Sequence, residues 1–405
     1  MLELPRIRSL YVVNEAYNRG GIGAAAEAVN LSQPAATQSV AKIEKILNAQ
    51  LFTRTSSGLI PTEEGALFKH RLDRVLAHLH LGERLARAKG SHPSGTKRQK
   101  LFHKDCTPVQ IRSLLAVAET GSFSLAAQSL GVRQPGIHRA TRELAAASNV
   151  TLFDQTRRGV VLSAAAEAFA HQVRLATSEF RQATYEIDEH LGRETTRIKI
   201  GSLPLSRTSI LPEAIDNMLR ISGPRVQINC VDARYTALLR DLQFGDLDFL
   251  IGALRFPKPA AEIRQEQLFS DELVVVVAPD HPLVGRPNIS LKDTLDFPWI
   301  APPKETPSGR YLFDHLRIHD LTETPVRIIS SSLALLRGLL ARGHYVSIAS
   351  KRQIQGKEYA DQMVALPILL SDSERAIGLT FRSGWQPTPL QDRFIGIVKS
   401  IAHAP

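Results

Sequence analysis

Thr37, Gln38, Lys42 and Lys45 fall on one side of the stretch from Ala35 to Leu47, whose other side carries Val40, Ile43 and Leu47 at spacings of three and four. A helix with that outward face offers hydroxyl, amide and ammonium groups together, the set that can read base edges and hold phosphates in a major groove. A solvated surface helix would look the same in isolation. Further along, Arg133, Gln134, His138, Arg139 and Arg142 line a second outward face, and Arg157 and Arg158 sit at the tip of the hairpin that follows it. Guanidiniums bind phosphate anywhere but read guanine only when aimed at its edge, so this second set suits the DNA backbone better than its sequence. The formal net charge of +10, from 50 Lys and Arg against 40 Asp and Glu, permits attraction to a polyanion; the position of the charges has to decide.

Other chemistry finds little support. His315 and His319 are four apart on an expected helix, a spacing that can hold a metal, but no Glu lies between them as a base and no third ligand is evident. Cys106 and Cys230 lack Cys or His neighbours, so neither a zinc site nor a disulfide framework is expected. There is no nucleophile elbow or phosphate loop, and Gly21 and Gly23 fall in a helix turn rather than after a strand. The N-terminus has an early Glu3 and no apolar run long enough for a secretory segment or a spanning helix, so the protein is expected in a reducing cytosol.

An internal repeat organises these faces. The tetrapeptide Ile-Arg-Ser-Leu opens at Ile7 and again at Ile111, 104 residues on, whereas Ala25, Gln33, Pro34, Phe52 and Gly58 recur 101 residues on as Ala126, Gln134, Pro135, Phe153 and Gly159. The change of spacing implies three extra residues in the first copy, around Ala16 to Arg19. Each copy reads as a helix, a short Ala-rich helix, a tight turn, a third helix and a two-stranded wing. In the first, Gly20, Gly21 and Gly23 end the opening helix, Ser32 is expected to cap the third through its hydroxyl, and Pro34 suits its first turn. Thr62 then opens a long helix to about Ala88. Lys89 to Lys100 mixes Gly, Ser and Pro with basic residues and reads as a mobile tether.

The first copy, with Ala25-Ala26, Ser32-Gln33-Pro34-Ala35, Ile43-Glu44, Leu51-Phe52, Arg54 and Thr62 to Gly65, resembles the DNA-binding domain of the LysR-type transcriptional regulators. The resemblance implies that Ser32, Gln33, Pro34, Thr37, Gln38 and Lys42 lie at or near DNA, with Arg54 on the wing. The second copy resembles the same family but has Arg133 for the capping Ser, His138 for the hydroxyl of Thr37, Ala145 for the Glu, Gln155 for the wing Arg, and Ser163 and Ala166 for the Thr and Gly that follow. For the whole chain the resemblance implies a cytoplasmic regulator, not an enzyme, with no metal or cofactor. Its partners would be double-stranded promoter DNA, a small-molecule effector (a carboxylate, sugar or aromatic acid), itself as homodimer or homotetramer, and RNA polymerase, with no membrane.

An Ala-rich helix from Ser163 to about Gly192 carries Phe169, Val173, Ala176, Phe180 and Ile187 on one face. In the family this helix dimerises, and here it joins the second copy to everything downstream, so the first copy is expected to hang outside on the tether. From Arg197 strands and helices alternate, a βαβ series that demands a parallel sheet. The order resembles the family's two-lobed, periplasmic-binding-protein-like α/β effector domain. The expected architecture is α/β overall: winged helix-turn-helix domains over 1–65 and 105–162, a helix over 66–89, a flexible linker over 90–104 and a linker helix over 163–193. Lobe one would take 197–268 and 364–399, and lobe two 269–363. Ligands of parallel sheets bind beyond the carboxyl ends of the strands, which selects Ser202, Asp232, Thr306, Ser308 and Ser331 as effector contacts. Helix capping would account for the same residues.

Overall fold

The computed structural model describes residues 4–56, 58–90, 101–156, 159–193, 196–223, 226–321, 325–354 and 361–403. The chain divides into two compact units, Met1–Thr196 and Arg197–Pro405.

In the first unit the copies match element for element. The first has α1 (Ile7–Arg19), α2 (Ile22–Ala28), α3 (Gln33–Leu47), β1 (Phe52–Thr55), β2 (Gly58–Pro61) and α4 (Glu63–Lys89). The second has α5 (Pro108–Thr120), α6 (Phe123–Leu130), α7 (Gln134–Ser148), β3 (Phe153–Thr156), β4 (Gly159–Leu162) and α8 (Ala164–His190). Gly20 and Gly121 end the opening helices with φ of 67° and 64°, and Asn48 and Asn149 end the third helices with φ of 50° and 53°. Every one of these equivalences is 101 residues, so the expected three-residue insertion does not exist. The Ile-Arg-Ser-Leu match is displaced by one helical turn, and a shift of three residues keeps nearly the same face inward. The buried positions of Leu10 and Val13 are filled by Ile111 and Leu114.

The expected separation of the copies also fails. The 27-residue helices α4 and α8 pack antiparallel along their lengths, and one hydrophobic core runs from Leu10, Ile43 and Phe68 of the first copy to Phe102, Phe169 and Phe180. Antiparallel order follows from the contacts: Glu63 meets His190, Arg74 meets Glu179, and His78 meets Gln172. The linker is shorter than expected, because Phe102–Asp105 forms a 3-10 turn whose Phe102 and His103 are buried. His103 there holds Glu83 through Nδ1 at 2.6 Å and the Tyr11 hydroxyl through Nε2 at 2.6 Å. Residues 91–100 of the expected tether lie outside the described residues.

The second unit is built on one nine-stranded sheet. Its elements are β5 (Thr196–Ser202), α9 (Pro204–Ser209), α10 (Leu211–Ser222), β6 (Val226–Asp232), α11 (Tyr235–Gln243), β7 (Phe249–Ala253), β8 (Ile263–Val277), β9 (Trp299–Ala301) and α12 (Pro307–Arg310). They continue with α13 (Ile318–Leu321), β10 (Val326–Ile329), α14 (Leu333–Leu340), β11 (Val346–Ser350), α15 (Lys351–Ile354), β12 (Val364–Ala365), β13 (Glu374–Arg382) and α16 (Pro389–His403). The strand order is β10-β9-β11-β8-β13-β7-β5-β6, with β12 on β8. The pairs β5–β7, β9–β10 and β9–β11 are parallel, while β8 runs antiparallel to β11 and β13. β8 is long enough to serve both lobes: its first part pairs with β13 and its last part with β11 and β12. Residues 364–370, expected in lobe one, belong to lobe two, because β12 pairs with Val276 and Val277 and Leu366, Ile368 and Leu370 join the core around Trp299. Lobe one has its own core, in which Ile198, Ile200 and Phe249 meet Met218 of α10 and Phe394 of α16.

The β8–β13 pairing changes register between Ile377 and Gly378, where a Cβ on Gly378 would lie 2.0 Å from the Glu266 carbonyl oxygen. Gly378→Ala should therefore lower stability by about 1–3 kcal/mol through overpacking of backbone. Gly338 in α14 faces open space, and Gly338→Ala should raise stability by about 0.5–1 kcal/mol. Thermal unfolding of both variants beside the parent checks the pair; equal shifts would contradict the packing at Gly378.

Candidate DNA interface and effector cavity

In the first copy, Ala36, Val40, Ile43 and Leu47 bury one stripe of α3 and leave Ser32, Gln33, Pro34, Gln38 and Lys42 exposed, with Thr37 half-buried. Ser32 holds the N-cap backbone position without a side-chain capping bond, which corrects the expected role of its hydroxyl. Thr37 donates to the Gln33 carbonyl at 3.0 Å and keeps its acceptor lone pairs. Arg54 is exposed on β1. Two bonds fix the wing against the helices: Glu44 Oε1 accepts the Leu51 amide at 2.8 Å, and the Gly20 carbonyl accepts the Leu59 amide at 2.8 Å. Ile43-Glu44 thus acts as a pair, Ile43 buried in the core and Glu44 anchoring the start of the hairpin.

The second copy keeps the scaffold with different groups. Arg133 is the exposed N-cap residue of α7, again without a side-chain cap, and Gln134 and Arg142 are exposed. His138 is half-buried; its ring lies 4.1 Å from that of Phe123 and its Nε2 is 3.3 Å from Gln134 Nε2. Arg139 pairs loosely with Glu143 at 3.6 Å. Ser163 caps α8 by accepting the Ala166 amide at 3.2 Å. Arg157 and Arg158 lie outside the described residues.

In the second unit, a cavity of about 390 Å3 opens where β7, β13 and α12 converge. Leu254, Phe256, Leu273 and Tyr311 give it apolar walls, and Arg310, Arg375 and Glu374 give it charge. Arg375 donates through Nε and Nη2 to Asp271 Oδ2, at 3.1 and 2.8 Å, and through Nη1 to Ser308 Oγ at 2.6 Å. Asp271 is buried and also accepts the Ser350 hydroxyl at 2.7 Å. Arg310 is exposed and has no acid partner among the described residues. Nearby Arg255 lies 4.1 Å over the Tyr235 ring; burial first, and then repulsion by Arg310 and Arg375, pull it down to about 10.

The expected effector contacts divide around this cavity. Ser308 reaches its edge through Arg375, and Thr306 caps α12, accepting the Gly309 amide at 3.0 Å and donating to the Pro303 carbonyl at 2.7 Å. Ser202 is buried and donates to the Val231 carbonyl at 3.4 Å, Asp232 pairs with Arg207, and Ser331 is exposed beside Ser332, the residue that caps α14; none of the five lines the cavity itself. The arginines were missed because their common feature is convergence from three separate segments. Arg310 at a helix end was the one local signal. His315 and His319 do not share a helix, since Arg317 with φ of 52° breaks the chain between them, and no cluster of metal-binding groups occurs among the described residues.

Comparison with known proteins accords with this architecture. Residues 7–66 and 108–167 each match the family described as bacterial regulatory helix-turn-helix protein, lysR family, and residues 191–402 match the LysR substrate binding domain. The chain is similar to the HTH-type transcriptional regulator GalR of Pseudomonas putida, 27% identical over 99% of this chain and 98% of the relative. It is also similar to the HTH-type transcriptional regulator PcaQ of Agrobacterium fabrum, 29% identical over 69% of this chain and 89% of that one. A full-length OxyR variant from Pseudomonas aeruginosa has a similar fold, with a TM-score of 0.50 and 20% identity over 73% of this chain and 93% of that one. The chain therefore belongs to the LysR family of transcriptional regulators, with the family's DNA-binding domain present twice ahead of a single substrate-binding domain.

Proposed function

We propose that this LysR-type regulator reads promoter sequence with the α3 face, Ser32, Gln33, Pro34, Thr37, Gln38 and Lys42, and clamps the backbone with Arg54. The α7 face, Arg133, Gln134, His138, Arg139 and Arg142, makes further contacts that are mainly to phosphate. Its effector is an organic anion with an apolar body. Arg310 and Arg375 in the lining of an apolar-walled cavity, with Arg255 half-buried nearby, carry that reading: buried Asp271 is committed to Arg375, and a bound carboxylate pairs with Arg310. Ligand closure of the lobes biases the DNA-bound arrangement through differential affinity for the two states. Promoter DNA places this action in the cytoplasm, with RNA polymerase as the further partner.

Gln33→Ala should lower preference for the cognate site about tenfold, the worth of one base contact. Arg54→Ala should instead weaken binding to any duplex and reduce the salt slope by about one. Binding isotherms on cognate and scrambled DNA across salt concentrations distinguish them, and opposite results would reverse the roles of reader and clamp.

Benzoate and succinate should raise the thermal midpoint of the chain, with glucose inactive, and Arg310→Met should abolish the shift. The variant's own stability should change by no more than about 0.5 kcal/mol, since Arg310 is exposed. Arg375→Met strands the Asp271 carboxylate and should cost about 3 kcal/mol without any ligand. A glucose response surviving Arg310→Met would defeat the anionic assignment.

A further inference from the structure

We propose that the two winged domains pair within one chain, α4 against α8, so that a single chain is already a two-headed DNA-binding unit, and that charges in the seam select this unlike pairing over like with like. The two-headed part rests on the DNA reading above; the pairing does not.

Arg71, only 1% exposed, lies between two acids of α8. Its Nη1 is 2.8 Å from Glu179 and its Nη2 2.5 Å from Glu186, and Arg74 reaches the other oxygen of Glu179 at 2.6 Å. Burial alone would raise the Glu179 carboxyl, yet the Arg74 and Arg71 guanidiniums hold it below its ordinary range. The 101-residue equivalence shows how one-sided this is. The symmetry mate of Arg71 with Glu179 is Gln172 with His78, and those two do meet, at 2.8 Å, but without a carboxylate. The mates of Arg74 and Glu186 are Leu175 and Leu85. At this buried cluster α4 therefore supplies the bases and α8 the acids. A reversed contact, His190 with Glu63, lies at the exposed end, where it contributes little.

Like-with-like pairing would break this arrangement. Two α4 helices would set each Arg71 against His78 and Leu85, burying guanidiniums with no acid. Two α8 helices would set Glu179 and Glu186 against Gln172 and Leu175, burying four carboxylates with no base. Gly82 adds a steric selection: its missing side chain admits Gln172 and Phe169, and a Cβ there would lie 2.9 Å from the Cβ of Gln172. Closure within one chain is short. Glu83 of α4 holds the His103 ring at 2.6 Å and its backbone amide at 3.2 Å, while Phe102 rests 5.0 Å from Phe169 of α8. That turn lies against both helices, which gives the in-chain partner a high effective concentration. Antiparallel pairing related by an approximate two-fold is the arrangement that half-sites on a duplex require, and because α3 and α7 present different groups the two half-sites should differ in sequence.

The test uses the full chain carrying His78→Cys, Gln172→Cys and, to remove the exposed thiol, Cys230→Ser. Chains labelled with heavy nitrogen are refolded together with unlabelled chains and treated with a short bis-maleimide, and the linked peptides are weighed. Same-mass links alone are expected; heavy–light links in proportion to the mixing, or folded chains without any link, would overturn the pairing. Independently, Arg71→Met should lower the thermal midpoint by about 10 °C. Arg71→Met with Glu179→Met and Glu186→Met should recover most of that loss and, in the cysteine background, admit heavy–light links. If that chain keeps only same-mass links, the charges do not select the partner. DNA selected by the full chain should carry two unlike half-sites, with Gln134→Ala relaxing only one. A palindrome indifferent to Gln134→Ala would remove the second head and leave the cross-linking result standing.

Discussion

A guanidinium taken almost wholly out of water is costly unless its donors are met, and Arg71 is met by two carboxylates more than a hundred residues away. The first unit is organised around that requirement. To bring Glu179 and Glu186 to Arg71, α8 must lie antiparallel on α4, and this in turn closes Phe68 on Phe180 and Phe102 on Phe169. The apolar contacts supply most of the attraction, but they are tolerant of register. The buried ion pairs are not, since a slip of one residue would leave an acid or a base stranded. Packing holds the helices together, and charge fixes which helices and in what register.

The second unit applies the same constraint at its own centre. Asp271 stands on β8 at the end of its pairing with β13, where Arg375 on β13 neutralises it and Ser350 at the end of β11 adds a hydrogen bond. These contacts tie strands of both lobes to one buried carboxylate. They also aim the remaining Arg375 donor at Ser308 beside the cavity. Arg375 is thus held by protein before any ligand arrives, while Arg310 across the cavity is not. A rigid cation beside an uncommitted one is suited to a ligand that both binds and moves a lobe, because only the second has freedom left to lose.

What is legible in the chain is what is local. The inward stripe of α3, the paired wings, the βαβ alternation and the family pattern all repeat within a few turns or strands, and the structure has them. Local pattern misleads where it has two solutions. Three residues are nearly a helical turn, so Ile-Arg-Ser-Leu can be matched out of register without disturbing a single apolar position, and a spurious insertion follows. Residues 102–104 fall in the expected linker, yet Phe102 and His103 are buried, His103 against Glu83, a contact across 20 residues that no pattern announces. Likewise Arg71, Arg255 and Arg375 are ordinary in sequence and acquire meaning from distant partners. Ser202 and Thr306 are visible as residues at strand ends, yet their bonds to the Val231 and Pro303 carbonyls are those of common turn and cap chemistry.

The divergence of the two copies follows from where each is anchored. Glu44 binds the Leu51 amide and so couples the reading helix to the wing of the first copy; in the second, Ala145 has no group that could do so. A reading helix and wing held as one body place donors to within the tolerance that base edges demand, whereas phosphate contact by long arginine side chains survives a looser hold. Ala145 in place of Glu44, and Arg133, Arg139 and Arg142 in place of Ser32, Gln38 and Ala41, fit the proposed division in which the first copy reads sequence and the second holds phosphate. The seam carries the same asymmetry inward, since a helix pair that need never face its own copy can take the bases of its buried Arg71 cluster from one helix and the acids from the other.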